Sequence, residues 1–240
     1  MLQQKEYFIE KLEQLLGINQ NSKILDLGSG KSINFIPLLK KYPEIHYIGV
    51  EPNQSEAETA KKLLKHFKNA TVHNQLAYEL IENQNDFDIC ISLSVLEHIK
   101  QLDKFLINSI RSVKTGGYII HRYDLGHALY PSSLKERLHI FLGNNFPKLL
   151  PQKKFVRYLS HKKVCEILEK NGAEIQKITY HQMPNHKAFL KNFNTNSDEK
   201  LNLAKEILDW EFRVSKHLSE MQIDKRELLF PAITIWAKKK

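Results

Sequence analysis

Residues 24–30 read Ile-Leu-Asp-Leu-Gly-Ser-Gly, and this stretch constrains the chain more than any other. An apolar β-run opening at Lys23 ends in Asp26, turns on Gly28 and Gly30, and enters an apolar helical stretch from Ile33 to Tyr42. A second run, His46 to Val50, then ends in an acid, Glu51. Glycines let a backbone pass close to a ligand without Cβ interference. An acid at the tip of the next strand suits a ribose diol. Together these residues describe a nucleoside-binding βαβ unit.

Three ligand classes compete for the loop. Gly30-Lys31-Ser32 copies the end of a phosphate loop, but that motif needs a glycine five positions before Gly30, where Leu25 stands. A dinucleotide fold wants a third glycine where Ile33 stands, so that the helix can receive a pyrophosphate. In both cases Asp26 points a negative charge at phosphate. A cofactor with a ribose, a positive centre and no phosphate instead meets two carboxylates, Asp26 and Glu51, with favourable electrostatics.

Four motifs in order extend this reading. They are Asp26-Leu27-Gly28-Ser29-Gly30, Glu51 after the second strand, Phe87 to Ile99 with its Leu96-Glu97-His98, and Val113-Lys114-Thr115-Gly116-Gly117-Tyr118-Ile119-Ile120. The chain thereby resembles the class I S-adenosylmethionine-dependent methyltransferases over residues 22–122, and more loosely over 160–182 and 228–237. The resemblance implies an α/β, doubly wound, mostly parallel seven-stranded sheet with helical insertions. It implies S-adenosyl-L-methionine as cofactor, held by Asp26, Gly28, Ser29, Gly30, Glu51, Pro52, Asn53, Leu76, Ala77, Ser92 and Leu93. The Leu-Glu-His subgroup mostly methylates small molecules, including quinone precursors and sugars. One position departs from the pattern: the Asp that often contacts adenine after the third strand (Ala70 to His73) is absent, with Gln75 and Leu76 in that region. Adenine recognition is then expected from backbone near Ala77 and packing by Leu76.

At 240 residues the chain reads as one methyltransferase domain, residues 1–240, long enough for a substantial core. No apolar run approaches membrane-spanning length. The start lacks a signal-peptide core and reads as an amphipathic helix. Cys90 and Cys165 form neither a metal spacing nor a disulfide framework, which points to a reducing cytoplasm. The net charge of +9 permits anionic partners, but lysines spread along helices and no aromatic–basic motif accompanies them, so nucleic acid is not expected. Lys238-Lys239-Lys240 reads as a solvated tail.

Ser55 followed by Glu58 predicts a capping box opening the helix after the second strand. Leu102, Phe105, Leu106, Ile110 and Val113 repeat at helical spacing, giving a core-facing helix. Ile119 to Arg122 completes the fifth strand, and a helix from His161 to Asn171 is closed by Gly172 before a sixth strand, Ala173 to His181. Ala232 to Ala237 forms the last strand. Two insertions remain. Residues 124–159, rich in aromatic and basic side chains, emerge beside the cofactor and are expected to form an acceptor lid. Residues 183–225 carry a helix from about Asp198 to Glu220 with Leu201, Ala204, Leu208, Phe212, Ser215 and Leu218 on one face, a packing or homodimer helix before a substrate contact.

Methyl transfer asks mainly for positioning and exclusion of water. A hydroxyl acceptor also needs a base, for which histidine is suited near neutral pH. The candidates are His98 and His121, with Asp124 as orienting acid and His127 following in the lid. A structural role for His98, capping a helix and shaping the pocket, stands beside the catalytic one. Quinone-precursor relatives carry a metal-supporting Glu where this chain has Ser94, so no metal is expected. His121-x-x-Asp124 loosely resembles methyltransferases of surface-glycan clusters, which makes a sugar hydroxyl the leading acceptor. N-methylation of a small amine and a non-catalytic cofactor-binding scaffold are the alternatives. The intact Asp26, Gly28, Gly30 and Glu51 argue against the scaffold.

Overall fold

The computed structural model describes residues 2–79, 85–151, 154–182, 192, 197–220 and 226–240. Its strands are β1 (Lys23–Leu27), β2 (His46–Val50), β3 (Ala70–His73), β4 (Phe87–Leu93), β5 (Val113–Asp124), β6 (Ala173–His181) and β7 (Ala232–Lys239). They form one seven-stranded sheet in the order β3-β2-β1-β4-β5-β7-β6. The β1, β2, β3, β4 and β5 pairings are parallel, and β7 runs antiparallel between β5 and β6. This is the doubly wound α/β sheet expected from the motifs. The chain steps outward from β1 to β3 and then returns to β4 on the other side of β1. That reversal opens a crevice at the carboxyl ends of β1 and β4, where ligands of such sheets bind.

Each face of the sheet buries its own apolar layer. On one face α4 (Leu102–Ser112) and α7 (His161–Lys170) bring Phe105, Leu106, Ile110, Val164 and Leu168 against the strands. The predicted stripe of α4 is therefore core. On the other face α1 (Leu2–Leu16), α2 (Ile36–Lys41), α3 (Gln54–Leu64) and α8 (Ser197–Glu220) supply Phe8, Leu12, Leu38, Ala57, Ala60 and Leu208. Ala204 and Leu208 bury α8 against this same chain, the packing role expected of its apolar face. The Ser215 and Leu218 side chains lie outside the described residues, as do 183–191, 193–196 and 221–225 of that insertion. Among the described residues no helix is long and apolar enough to cross a membrane.

Three local expectations shift. The N-cap of α3 is Asn53, whose Oδ1 accepts from the Ser55 and Glu56 amides at 3.1 and 3.4 Å, while Glu58 pairs with Lys61. Asn53 is the last extended residue after β2, so the cap falls there and not at Ser55. Strand β5 runs from Val113, which pairs with Phe87 of β4 and so leaves the helical stripe expected to include it, to Asp124, which pairs with Ala232 of β7. Lys238 and Lys239 belong to β7, opposite Tyr118 and Ala173, and the Lys238 ammonium lies 4.8 Å from the Tyr118 ring centre. Two of the three lysines of the expected solvated tail are thus part of the sheet.

Strand β7 is sandwiched between two antiparallel neighbours, and Ile235 at its middle is fully buried. Ile235→Ala should destabilise the fold by about 2–5 kcal/mol. A shifted urea midpoint with unchanged slope is the expected readout.

Candidate functional site

The glycine turn after β1 is built by hydrogen bonds to the end of β2. The Gly28 and Ser29 amides both donate to the Val50 carbonyl, at 2.7 and 3.1 Å. Gly28 and Gly30 lie in the left-handed region, with φ of +80° and +54°. At Gly28 the requirement is doubled, because a Cβ there would come within 2.5 Å of Val95 Cγ2. The loop after β1 and the turn after β4 therefore touch across the crevice. Ser94, at φ +60°, makes that turn, and its amide donates to the Arg122 carbonyl at 2.7 Å.

Glu51 is the hub. Its carboxylate accepts the Gly30 amide on Oε2 at 2.9 Å and the Asn53 amide on Oε1 at 2.8 Å. Each oxygen retains a further lone pair, so the carboxylate can still accept two ligand hydroxyls. The Asn74 side chain donates to the Glu51 carbonyl at 2.9 Å, holding the tip of β2 to the end of β3. The Ala77 carbonyl is fixed in turn by Asn108 Nδ2 at 2.6 Å.

A cavity of about 630 Å³ opens beside these groups, within the size range of small-molecule sites. Gly28, Glu51, Pro52, Asn53, Leu76 and Ala77 line it, as does His98. Asp26, Ser29, Gly30, Ser92 and Leu93 are not among its lining residues. Asp26 is buried and accepts the Tyr47 hydroxyl at 2.9 Å. Ser29 packs on β2, where a Cβ at Gly49 would meet its Oγ at 2.7 Å. Gly30 reaches the site through its amide on Glu51. Ser92 Oγ lies 2.8 Å from His121 Nδ1, and Leu93 belongs to an apolar layer. Val95, Ile99, Lys100, Tyr78 and Phe105 line the cavity without having been singled out. The first three follow β4 and flank the Leu96-Glu97-His98 motif, which is the sequence signal nearest to them.

The two candidate histidines part company. His121 is fully buried between β4 and α4, with Nδ1 on Ser92 Oγ and Nε2 3.1 Å from Ser109 Oγ. Burial drives its pKa down to about 3. Asp124 cannot orient it, since residues three apart on β5 face opposite sides of the sheet. The Asp124 carboxylate accepts Gly126 N at 2.7 Å and Gln182 Nε2 at 2.9 Å. The expected pairing of His121 with Asp124 is corrected on this geometry.

His98 is half-exposed in the cavity wall. Its Nδ1 lies 3.0 Å from the Phe155 carbonyl. A carbonyl only accepts, so Nδ1 carries the hydrogen and Nε2 is the acceptor nitrogen in the neutral ring. Burial lowers the His98 pKa, opposed by the Phe155 hydrogen bond; His127 lowers it further and Asp124 raises it.

The insertion after β5 supplies that carbonyl. Its described residues form α5 (Gly126–Leu129), α6 (Leu134–Asn145) and a strap of residues 150–151 and 154–159. The strap is fastened onto the turn after β4: Arg157 N donates to the Glu97 carbonyl at 3.1 Å and Arg157 Nη2 to the Ile99 carbonyl at 2.9 Å. Lys100 bonds the Leu150 carbonyl, and Leu150, Phe155 and Leu159 are buried. At Gly143 of α6 a Cβ would stand 2.0 Å from the Val156 carbonyl oxygen, so helix and strap are in backbone contact. Among the described residues no three His, Cys, Asp or Glu side chains converge as a metal site.

A family model described as "Methyltransferase domain" matches residues 2–178. A ubiquinone biosynthesis O-methyltransferase of Rickettsia felis is 30% identical over 117 residues, 48% of this chain and 46% of that protein. One from Pelagibacter ubique is 21% identical over 162 residues, 66% of this chain and 64% of the relative. The chain thus spans less than half the length of the first relatives it matches. Two solved structures share the fold. Geranyl diphosphate C-methyltransferase from Streptomyces coelicolor, in complex with Mg2+, geranyl diphosphate and S-adenosyl-L-homocysteine, aligns with TM-score 0.63 at 10% identity. That alignment covers 96% of this chain and 76% of that one. Haemonchus contortus phosphoethanolamine N-methyltransferase 2, in complex with S-adenosyl-L-methionine, gives 0.62 at 16% identity, covering 96% and 51%.

Two buried histidines make a pH prediction. His181, fully buried beside Glu211, is held down to about 4, chiefly by burial. Both His121 and His181 are neutral when folded at pH values where the unfolded side chains, near 6.5, take up protons. The unfolded chain therefore binds more protons below that value, and stability falls as pH drops from 6.5 towards 4. Melting temperatures should decline over that window, and His121→Gln should flatten part of the decline.

Proposed function

This chain belongs to the methyltransferase-domain family, and on that premise we propose that it carries a methyl group from S-adenosylmethionine to a hydroxyl of a small molecule, with His98 as base. When bound, S-adenosylmethionine supplies an electrophilic methyl group on a positively charged sulfur. The residues suit such a group. Glu51 offers two preset acceptors to the ribose hydroxyls. Asp26 adds negative charge behind the glycine turn, which favours a cationic ligand without phosphate. The Gly28 cradle, which a Cβ would fill, keeps the backbone accessible. Leu76 and the Ala77 backbone give an apolar slot for the adenine in place of the missing acid.

The single observation that carries the base assignment is the Phe155 carbonyl on His98 Nδ1. It leaves Nε2 as the nitrogen able to take the acceptor's hydroxyl proton, and the lowered pKa keeps the ring neutral for that purpose. His121 takes no part in proton transfer, because its two nitrogens are engaged by Ser92 and Ser109 inside the core. The sugar acceptor leaned on His121 with Asp124 and loses that support. The hydroxyl class is retained, and the O-methyltransferase names of the sequence relatives favour it. Residues 124–159 serve as the acceptor's cover, their strap forming the fixed inner part and α6 the outer part.

Two measurements test the reading. Glu51→Ala should weaken binding of S-adenosylhomocysteine by about 1–3 kcal/mol in calorimetry, the usual cost of removing a charged hydrogen-bond partner. His98→Gln should lower turnover by on the order of 10²–10⁴ with cofactor affinity retained, and His121→Gln should not. Labelled methyl transfer into a panel of phenols, sugars and amines identifies the acceptor. Transfer to amines with a fully active His98→Gln variant would replace the hydroxyl reading with N-methylation.

A further inference from the structure

Helix α6 carries its apolar side chains outward. Leu134, Leu138 and Phe141 recur at i, i+4 and i+7, one face of a helix. The stripe continues past the helix end, since the Phe141 and Phe146 rings lie 6.2 Å apart and Leu149 follows. These five side chains are between 51% and 81% exposed, in a chain whose other large apolar residues are mostly buried. The face cannot turn inward. Gly143 lies about half a turn around the helix from Leu134, and there the backbone abuts the Val156 carbonyl. The inner side is therefore committed to the strap, and the apolar face is left pointing away from the protein.

The charges beside the stripe select the occupant. Lys135 and Arg137 flank it on the helix and Lys148 follows in the next turn. Glu136, the one acid in this segment, is drawn back onto the Ser132 amide and hydroxyl at 2.6 and 2.8 Å. A second copy of this chain, itself at net charge +9, would set like charge against like. An apolar stripe with basic flanks is the pattern of a helix lying in a bilayer interface, where anionic headgroups meet the cations and acyl chains receive the apolar side chains. We propose that the outer face of α6, with Phe146 and Leu149, docks on an anionic lipid surface. The strap whose Phe155 carbonyl orients His98 is then held directly behind the docked helix.

The test is co-sedimentation of the full chain with vesicles of phosphatidylglycerol in phosphatidylcholine, against vesicles of phosphatidylcholine alone. Binding is expected to the anionic vesicles, to fall as salt is raised, and to drop by about tenfold or more in Leu138→Glu/Phe141→Glu. Leu63→Glu, at an exposed apolar position on α3, should bind as the parent does. Melting temperature and the thermal shift with S-adenosylhomocysteine report whether the double variant is folded. The salt dependence of the unaltered chain tests the electrostatic part without any substitution. Absence of binding to anionic vesicles, equal binding to both vesicle types, or equal binding by the double variant would overturn the proposal. So would a dimer in sedimentation velocity that the double variant dissolves while vesicle binding is absent, which would give the face to a second copy.

Discussion

The carboxylate of Glu51 is the interaction on which the site's architecture depends. By accepting amides from Gly30 and Asn53 it ties the loop after β1 to the start of α3. Charge-assisted bonds of this kind are among the stronger hydrogen bonds in proteins. The Val50 carbonyl, one residue earlier, receives the Gly28 and Ser29 amides, so two consecutive residues at the tip of β2 organise the whole turn. Val95 then closes on Gly28 from the far side of the crevice. A side chain at position 28 would push the turn after β4 away from the loop that this carboxylate anchors.

Much of this was legible in the sequence because it rests on residue types with few alternatives. Gly28, Gly30 and Glu51 have distinctive backbone or charge requirements, short apolar runs and motif order mark β1, β2 and β4, and helical spacing marks α4. What escaped reading was whatever depends on distant partners. The cap of α3 fell on Asn53 because β2 ends where β3 allows it, a tertiary fact. The lysines at the end of the chain look solvated in isolation and are strand residues only because β5 and β6 run alongside them. Val95 has no polar or conformational signature, yet it is the side chain that makes glycine obligatory across from it.

The histidines show the same limit at the level of chemistry. His98 and His121 each follow an apolar strand pattern at the same end of the sheet, and spacing cannot rank them. Burial ranks them. His121 is surrounded by Ser92, Ser109 and the Phe105 ring, 5.9 Å away between centres, and acts as a neutral polar pin between sheet and helix. His98 is oriented by a carbonyl 57 residues downstream, a contact that no local pattern announces.

That contact joins two properties that enzymes of this architecture could otherwise vary separately. Phe155 belongs to the insertion proposed to cover the acceptor, and Arg157 and Lys100 rivet that segment to the turn bearing His98. Lengthening, shortening or reshaping the insertion to admit a different acceptor would shift the same carbonyl that decides which ring nitrogen holds the proton. Under the roles proposed for His98 and for the insertion, acceptor choice and base competence are mechanically linked, and a change in one drags the other with it.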